Sequence, residues 1–352
     1  TNLFVSWLGG IRKSQVKTLA ALTYGLVRSA RVGVAAIGRS MAGPVAEKHR
    51  IKRVDRFLGN LGVKVVPLVR PLVRASMANR ERVFLAIDWT DLHDQAHQVL
   101  VAGVVTRSRA IPVYWRTVSK GQLTLNQNRI EDRFVEELRK LVPRGVEVVV
   151  LADRGFGRVS FLQKLESLGF KYLIRVQNKV GVRGEVFTGT LGDLPVQRGV
   201  LLDLGKVKYQ QQVGFPVRVV VRFDQGQEEP WLLATNLDES AERVAGWYGR
   251  RMEIEELFKD LKNERSGFRL RGLRLSSPGR YDRLLLVVAY AYFLLVVAGL
   301  WGEMHQVHRR LMANTEKKRT LGLWRVGHYV FNNLSICLEQ IMNGRPALTF
   351  SG

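Results

Sequence analysis

The 352-residue sequence has little of what disulfide scaffolds and soft-metal sites require. Its one cysteine, Cys337, has no second thiol to pair with, which excludes a disulfide framework and a cysteine-rich zinc site. Its six histidines do not cluster with cysteine at ligand spacing, so carboxylates are the expected ligands of any metal ion. Acidic residues are also scarce, 31 against 55 lysines and arginines, and the net charge of +24 indicates an anionic partner.

Arginine carries most of the positive charge, with 39 arginines and 16 lysines. The guanidinium group presents a planar fork of donors that matches a phosphate, so this excess is typical of proteins that bind nucleic acid. Hydrophobic residues make up 46% of the chain, which excludes a mainly disordered protein. At about 150 residues per domain, the length indicates two or three domains.

One long uncharged run, Leu284–Gly302, has the length of a membrane span. The sequence contains no second run of this kind, and Tyr290 and Tyr292 lie in the middle of the first. A core helix of a globular protein is therefore the favoured interpretation, and a membrane protein is the least favoured alternative. No secretory signal peptide opens the sequence, and we expect a cytoplasmic location.

The order of the apolar patterns predicts an α/β fold in three parts. Residues 1–80 are expected to form a helical DNA-binding domain, 81–303 a catalytic domain, and 304–352 a C-terminal helical region with a candidate role in dimerisation. In the middle part, the order β-β-β-α-β-α-β is that of a ribonuclease-H-like fold. Short β-type runs indicate a β-rich insertion at 178–237. The chain is then expected to be helical over 240–263 and 279–301, and near 304–313 and 328–343.

The predicted helix 46–60 is strongly basic. It carries Lys48, His49, Arg50, Lys52, Arg53 and Arg56. A solvated helix face would have the same composition. Because the whole chain is basic, a helix that contacts DNA is the favoured interpretation, with Arg50, Lys52 and Arg53 as candidate contacts.

Two aspartates each follow a run that is typical of a buried strand. Asp88 comes directly after 83–87, and Asp153 directly after 148–152. Sites in open α/β sheets form at such strand ends, and Mg²⁺ takes carboxylate oxygens together with phosphate oxygens. A turn or helix cap is the alternative for each aspartate alone, and Asp91 and Asp94 are rivals of Asp88.

A third carboxylate is expected from the predicted helix 240–263. At about 100° per residue, Tyr248, Arg251, Glu255 and Lys262 fall within an arc of about 60°. One carboxylate between two cations and a phenol suits a metal-bound phosphodiester, with the glutamate on the metal and the cations on phosphates. The neighbouring Glu253, Glu256 and Asp260 point away from this arc. The alternative is a solvated face with ion pairs four residues apart.

The spacing Tyr248-x2-Arg251-x3-Glu255-x6-Lys262 matches the YREK signature of the IS4 family of bacterial DDE transposases. Further segments resemble the same family, and especially its Tn10/IS10 branch: 48–60, 87–91, 153–156, 231–237 and 247–262. The resemblance covers about residues 45–320. It is weakest near 178–225 and at the two ends.

The resemblance implies a role for each matching residue. Asp88, Asp153 and Glu255 would be the DDE triad that binds two Mg²⁺ ions, with Mn²⁺ as a substitute. The residues that would hold phosphates are Tyr248, Arg251, Lys262 and Arg175. Trp231 matches a tryptophan on which an extruded base stacks. Some relatives carry a second tryptophan where Met252 stands here, so a second aromatic wedge is not expected.

The resemblance also implies cut-and-paste transposition of a bacterial insertion sequence. One strand is nicked at the element's end, its 3′-OH closes a hairpin on the opposite strand, and the reopened end joins target DNA. The expected partners are double-stranded DNA and a second copy of the chain, in an assembly associated with the nucleoid. The alternatives are a catalytically silent or domesticated protein that binds element ends, and a metal-dependent nuclease that does not join strands.

Overall fold

The computed structural model describes residues 8–92, 96–210, 213–263, 267–313, 315 and 321–334. The chain divides into two compact units. The first consists of Thr1–Leu72, Leu92–His97 and Leu257–Gly352, and the second of Val73–Asp91 and Gln98–Glu256. These limits differ from the predicted domains 1–80, 81–303 and 304–352. The reason is that the long apolar helix near the C-terminus packs among the N-terminal helices instead of belonging to the central domain.

The first unit is helical. Its helices are α1 (Lys13–Ser29), α2 (Val34–Ser40), α3 (Glu47–Gly59), most of α4 (Val65–Met77), α9 (Pro278–Met304) and α10 (Leu323–Asn332). The C-terminal segment expected near 304–313 contains a 3-10 helix, Val307–Leu311, and the one expected at 328–343 begins earlier, as α10. Residues 335–343 of that prediction lie outside the described residues.

Helix α9 is the one described helix that is long and apolar enough to cross a membrane, and two thirds of its most apolar stretch (67%) is buried within the protein. Both tyrosines in its middle make buried hydrogen bonds. The Tyr290 hydroxyl donates to the Leu68 carbonyl at 2.7 Å, and the Tyr292 hydroxyl to Asp260 Oδ2 at 2.7 Å. Polar partners of this kind favour the interpretation of α9 as a core helix.

The second unit is built on one ten-stranded mixed sheet of order β3-β2-β1-β4-β5-β10-β9-β8-β6-β7. Its strands are β1 (Arg82–Asp91), β2 (His97–Val105), β3 (Ala110–Ser119), β4 (Glu147–Ala152), β5 (Lys171–Arg175), β6 (Gly181–Arg183), β7 (Thr188–Thr190), β8 (Val200–Tyr209), β9 (Phe215–Phe223) and β10 (Trp231–Thr235). Strands β1, β4 and β5 are parallel, and β2 and β10 run antiparallel to them.

The remaining helices are α5 (Lys120–Leu141), α6 (Val159–Ser167) and α7 (Ala241–Gly249), followed by α8 (Met252–Lys262), which begins in the second unit and ends in the first. The elements from β1 to β5 follow the predicted order. This mixed sheet with its helices is consistent with a ribonuclease-H-like fold. The strands of the β-rich segment 178–237 extend the same sheet beyond β5.

Two predicted bounds are wrong close to the candidate site residues: the end of the strand before Asp88 and the extent of the helix that carries Glu255. Strand β1 does not end at Ile87 but continues to Asp91, because its pairing with β2 extends from Leu85 to Asp91. The predicted helix 240–263 is interrupted after Gly249. There the amides of Arg250 and Arg251 donate to carbonyls three residues back, which tightens the last turn of α7 before α8 begins.

The contact between α9 and α10 requires glycine. A Cβ atom at Gly327 would lie 1.8 Å from the Leu295 carbonyl oxygen, and one at Gly299 would lie 2.1 Å from that of Leu323. We expect Gly327→Ala to lower the free energy of unfolding by about 1–3 kcal/mol, because backbone must move to admit the methyl group. Urea denaturation followed by circular dichroism measures this loss.

Gly246→Ala in α7 is the matched control, since a Cβ there meets no atom of the described chain within 4 Å. Alanine stabilises a helix interior relative to glycine by about 1 kcal/mol, so this variant should gain stability. Equal urea midpoints for the two variants would contradict the close packing of α9 on α10.

Candidate active site

Parallel pairing between β1 and β4 brings the two predicted aspartates together. Arg82 pairs with Glu147 and Ala86 with Leu151. Continuing this register by two residues places Asp88 opposite Asp153. Each carboxylate is oriented by a backbone amide, since Trp89 N donates to Asp88 Oδ1 at 2.8 Å and Gly155 N donates to Asp153 Oδ1 at 2.9 Å.

Asp88 lies in an environment that disfavours an isolated negative charge. Its side chain is only 20% exposed. Burial raises its pKa to about 6, and the nearby charge of Asp153 acts in the same direction. The positive charge of Arg251 lowers the pKa but compensates for only part of this effect. A bound cation would stabilise the ionised form of such a carboxylate pair.

Arg251 links Asp88 to Glu255. It lies in the turn between α7 and α8, with its side chain 14% exposed. Its Nη1 atom is 3.6 Å from Asp88 Oδ2, and its Nη2 atom donates to Glu255 Oε1 at 2.6 Å. Burial lowers the pKa of the guanidinium, but Tyr248, Glu255 and Asp88 outweigh that effect and raise it. The structure thus brings Asp88 and Asp153 together directly and Glu255 to them through an arginine.

The three predicted carboxylates have the chemistry that a hard divalent cation requires, but Glu255 is engaged in an ion pair with Arg251. Asp88 and Asp153 offer adjacent carboxylate oxygens, which Mg²⁺ prefers. Within the described part of the chain, no three His, Cys, Asp or Glu side chains are grouped closely enough to hold a metal ion. Glu255 is instead paired with the Arg251 guanidinium, which neutralises its charge.

The predicted phosphate and base contacts of the second unit lie beside the carboxylates. Tyr248 is buried, which raises its pKa to about 12, while the charges of Arg251 and Arg175 lower it. The Trp231 ring meets the Tyr248 ring edge-on, with 5.0 Å between centroids. Arg175 Nη2 donates to Glu229 Oε2 at 2.9 Å, so Glu229 holds this arginine in place.

The rival carboxylates have other partners. Asp91 Oδ2 is 3.1 Å from Lys120 Nζ, and Asp91 alternates to the opposite face of β1 from Asp88. Asp94 lies outside the described residues. Glu256 is 3.9 Å from Arg109, and Asp260 accepts the hydroxyl of Tyr292. These contacts favour Glu255, which shares Arg251 with Asp88, as the third carboxylate of the site.

The other candidate DNA contacts lie in the first unit. Lys262 is the last residue of α8, and its Nζ atom is 5.7 Å from the Phe258 ring centroid. On α3, half-buried Arg50 donates to the Met41 carbonyl, and Arg53 donates to Thr18 Oγ1 at 2.9 Å. Lys52 is exposed. Arg50 therefore connects α3 to the residue that follows α2, and Lys52 is the better placed of the three for a ligand.

A buried acidic residue that the sequence pattern did not single out lies behind the site. Glu131 lies on α5 with its side chain 1% exposed and accepts hydrogen bonds from Trp89 and Arg158. The available signal was its position, because Glu131 shares a helix face with Phe134, Val135 and Leu138. A carboxylate on an apolar helix face must have a partner, but the sequence does not show which one.

Comparison with known proteins gives one family match. Residues 119–294, half of the chain, match the sequence model of the family described as "Transposase DDE domain". The matched segment contains all but one of the second unit's predicted site residues: Asp153, Arg175, Trp231, Tyr248, Arg251 and Glu255. Asp88 precedes it. The search of curated proteins finds no match.

Among solved structures, the chain is similar to the Argonaute of Marinitoga piezophila in complex with a 5′-OH guide RNA and target DNA. The identity is 12%, and the TM-score is 0.22. The likeness covers 59% of this chain and 29% of that one, so the chain spans less than a third of the Argonaute.

Proposed function

The chain belongs to the transposase DDE-domain family, and from that premise we propose that it is the cut-and-paste transposase of a bacterial insertion sequence of the IS4 type. The observation that carries the proposal is the register of β1 on β4, which sets Asp88 beside Asp153 with Arg251 and Glu255 next to them. Acidic side chains that cluster in a chain of net charge +24 indicate a cation site at a DNA-binding surface.

In this proposal Asp88, Asp153 and Glu255 would hold Mg²⁺, or Mn²⁺ in its place. Bound there, two such ions would supply an activated water and charge stabilisation of the leaving oxygen. Glu255 would be free to bind only after Arg251 leaves it. A DNA phosphate is a suitable new partner for Arg251, because a guanidinium pairs with phosphate as it does with carboxylate.

Other side chains would position the DNA. Arg251, Tyr248, Arg175 and Lys262 would contact phosphates near the cleaved bond. Trp231 would stack on an extruded base, and its edge contact with Tyr248 would keep its ring in place. Positioning of this kind is the main contribution that a protein makes to phosphoryl transfer.

The proposed reaction sequence is nicking at the element's end, closure of a hairpin by the freed 3′-OH, reopening by water, and attack of the 3′-OH on target DNA. Two copies of the chain would act on two DNA ends. A cytoplasmic protein associated with the nucleoid fits this activity.

The test uses the purified chain and a labelled duplex carrying the DNA that flanks its own gene. After incubation with Mg²⁺, products are resolved on a denaturing gel. Nicks at one phosphate, hairpins and joined strands are the expected products. Nicks alone would indicate a nuclease that does not join strands. Salt-sensitive binding with no cleavage in Mg²⁺ or Mn²⁺ would indicate a protein that only binds element ends.

Lys52 on α3 is a candidate contact for a DNA phosphate. We expect Lys52→Ala to weaken DNA binding several-fold and to lower the salt slope of the binding constant by about 1, because one phosphate contact is lost. Fluorescence anisotropy over a salt series measures both quantities. Lys140→Ala is the matched control, since Lys140 is exposed but paired with Glu137 on α5. An unchanged slope for Lys52→Ala would remove α3 from the DNA interface.

A further inference from the structure

Glu131 is a carboxylate buried behind the site in a strongly basic protein. Its side chain is 1% exposed. A buried charge is costly unless it is paired and hydrogen-bonded. Glu131 meets that condition, since Trp89 Nε1 and Gln127 Nε2 each donate to its Oε1 at 2.9 Å, and Arg158 donates to its Oε2. Both oxygens of the carboxylate are therefore engaged.

Two of these donors belong to the segments that carry the paired aspartates. Trp89 directly follows Asp88 on β1. Arg158 ends the loop that begins at Asp153 and leads from β4 into α6. One carboxylate therefore joins the backbone segments of Asp88 and Asp153, through the residue that follows Asp88 and through the residue that ends the loop after Asp153.

The contacts come from the side of the sheet opposite the site. Neighbouring residues of a strand point to opposite faces, so Trp89 points away from the face that Asp88 occupies. Helix α5 covers that opposite face and presents Glu131 to the indole. Glu131 itself is thus remote from the reacting atoms and can act only through Trp89 and Arg158.

Arg158 is anchored to α5 by further contacts. Besides Glu131, its guanidinium donates to Asp132 and, at 3.0 Å, to the Asn128 carbonyl. All three partners lie on α5, within two turns of one helix. The loop after Asp153 is therefore fixed to the same helix that holds Trp89.

We propose that Glu131 is a positioning residue that sets the separation of Asp88 and Asp153 from behind the sheet. The inference rests on the proposed function, in which these two carboxylates share metal ions. Outer contacts that orient metal-binding side chains contribute about 10-fold to 100-fold in metal affinity, because a small displacement of one oxygen spoils the coordination geometry.

The test measures Mn²⁺ affinity of the purified chain by electron paramagnetic resonance. Glu131→Gln keeps the volume but turns an amide toward Arg158, and we expect Mn²⁺ to bind at least about tenfold more weakly. Trp89→Phe removes the hydrogen bond from the indole to Glu131 and should weaken Mn²⁺ binding by a smaller factor. The double variant should bind Mn²⁺ more weakly than either single variant, because the two substitutions disturb different contacts of one carboxylate.

Glu136→Gln is the matched control. Glu136 lies on the same helix and accepts from Lys164 Nζ at 2.7 Å, but it has no contact with the aspartate segments among the described residues. Its loss should leave the Mn²⁺ affinity unchanged. A folded Glu131→Gln variant with wild-type Mn²⁺ affinity would overturn the inference, even if its thermal stability fell. If Glu131→Gln does not fold, the same criterion applies to Trp89→Phe.

Mn²⁺ binding and DNA cleavage test the positioning role and the transposase function separately. If the wild type binds Mn²⁺ and Glu131→Gln weakens that binding, but no DNA is cut, the positioning role stands and the transposase proposal falls. If the wild type cuts and joins DNA while Glu131→Gln binds Mn²⁺ normally, the function stands and the positioning role falls.

Discussion

Asp88→Asn should abolish DNA cleavage, with a loss of at least about a thousandfold in rate. The substitution keeps the shape of the side chain and the acceptor for the Trp89 amide, but it removes the charge that would hold the metal ions. A metal ion contributes several kcal/mol of transition-state stabilisation, and about 4 kcal/mol corresponds to this factor. The measurement is the initial rate of nicking of a labelled element end in Mg²⁺, at saturating DNA.

The same variant should be more stable than the wild type when no metal is present. The pKa of Asp88 is raised in the folded state, so the folded protein holds this proton more tightly than the unfolded chain. The stability that results is lost as pH rises from the ordinary aspartate pKa of 3.8 through about 6. At pH 7.5 in EDTA, asparagine removes this penalty. The gain is about 3 kcal/mol at most and is seen as a higher melting temperature.

Asp203→Asn is the control for this prediction. Asp203 lies on β8 of the same unit and pairs with Arg218, so its loss should leave cleavage unchanged. Residual cleavage by Asp88→Asn within tenfold of the wild type would contradict the assignment of Asp88 as a metal-binding residue. A variant that is both inactive and less stable would point to a structural role instead.

Arg251→Gln should affect metal binding and catalysis in opposite directions. Arg251 neutralises Glu255 and part of Asp88, so its removal releases a carboxylate and leaves the site more negative. We expect Mn²⁺ to bind several-fold more tightly to the DNA-free protein. We expect cleavage to fall by about a hundredfold, because a charge-assisted contact with the DNA phosphate, worth about 3 kcal/mol, is lost.

Calorimetric titration with Mn²⁺ and the nicking assay together measure the two effects of Arg251→Gln. Arg243→Gln serves as the control, since Arg243 lies on neighbouring α7 and pairs with Glu239 away from the site. Equal or weaker Mn²⁺ binding by Arg251→Gln would show that the arginine does not compete with metal for Glu255. Unimpaired cleavage would show that it does not act on DNA.

The local pattern of the sequence predicts the candidate carboxylates, whereas Arg175 and Trp231 were candidates through the family resemblance alone. Continuous apolar runs before Asp88 and Asp153 mark β1 and β4, because strands buried on both faces must be apolar throughout. The spacing of Tyr248, Arg251 and Glu255 identified a constellation that lies together in the folded chain. The excess of arginine indicated a nucleic-acid partner. Each of these signals is contained in a few consecutive residues or in the composition.

Contacts between distant segments determined what the sequence did not show. Strand β1 extends past Asp88 because β2 pairs with it. Arg251 pairs with Glu255 four residues along the chain, as a helix allows, but its approach to Asp88 depends on the fold. Burial of Glu131 depends on donors 42 and 27 residues away in sequence. The sequence by itself therefore determined which side chains are candidates for the chemistry. Only the tertiary structure decided their partners, since pairing and burial depend on segments brought together by folding.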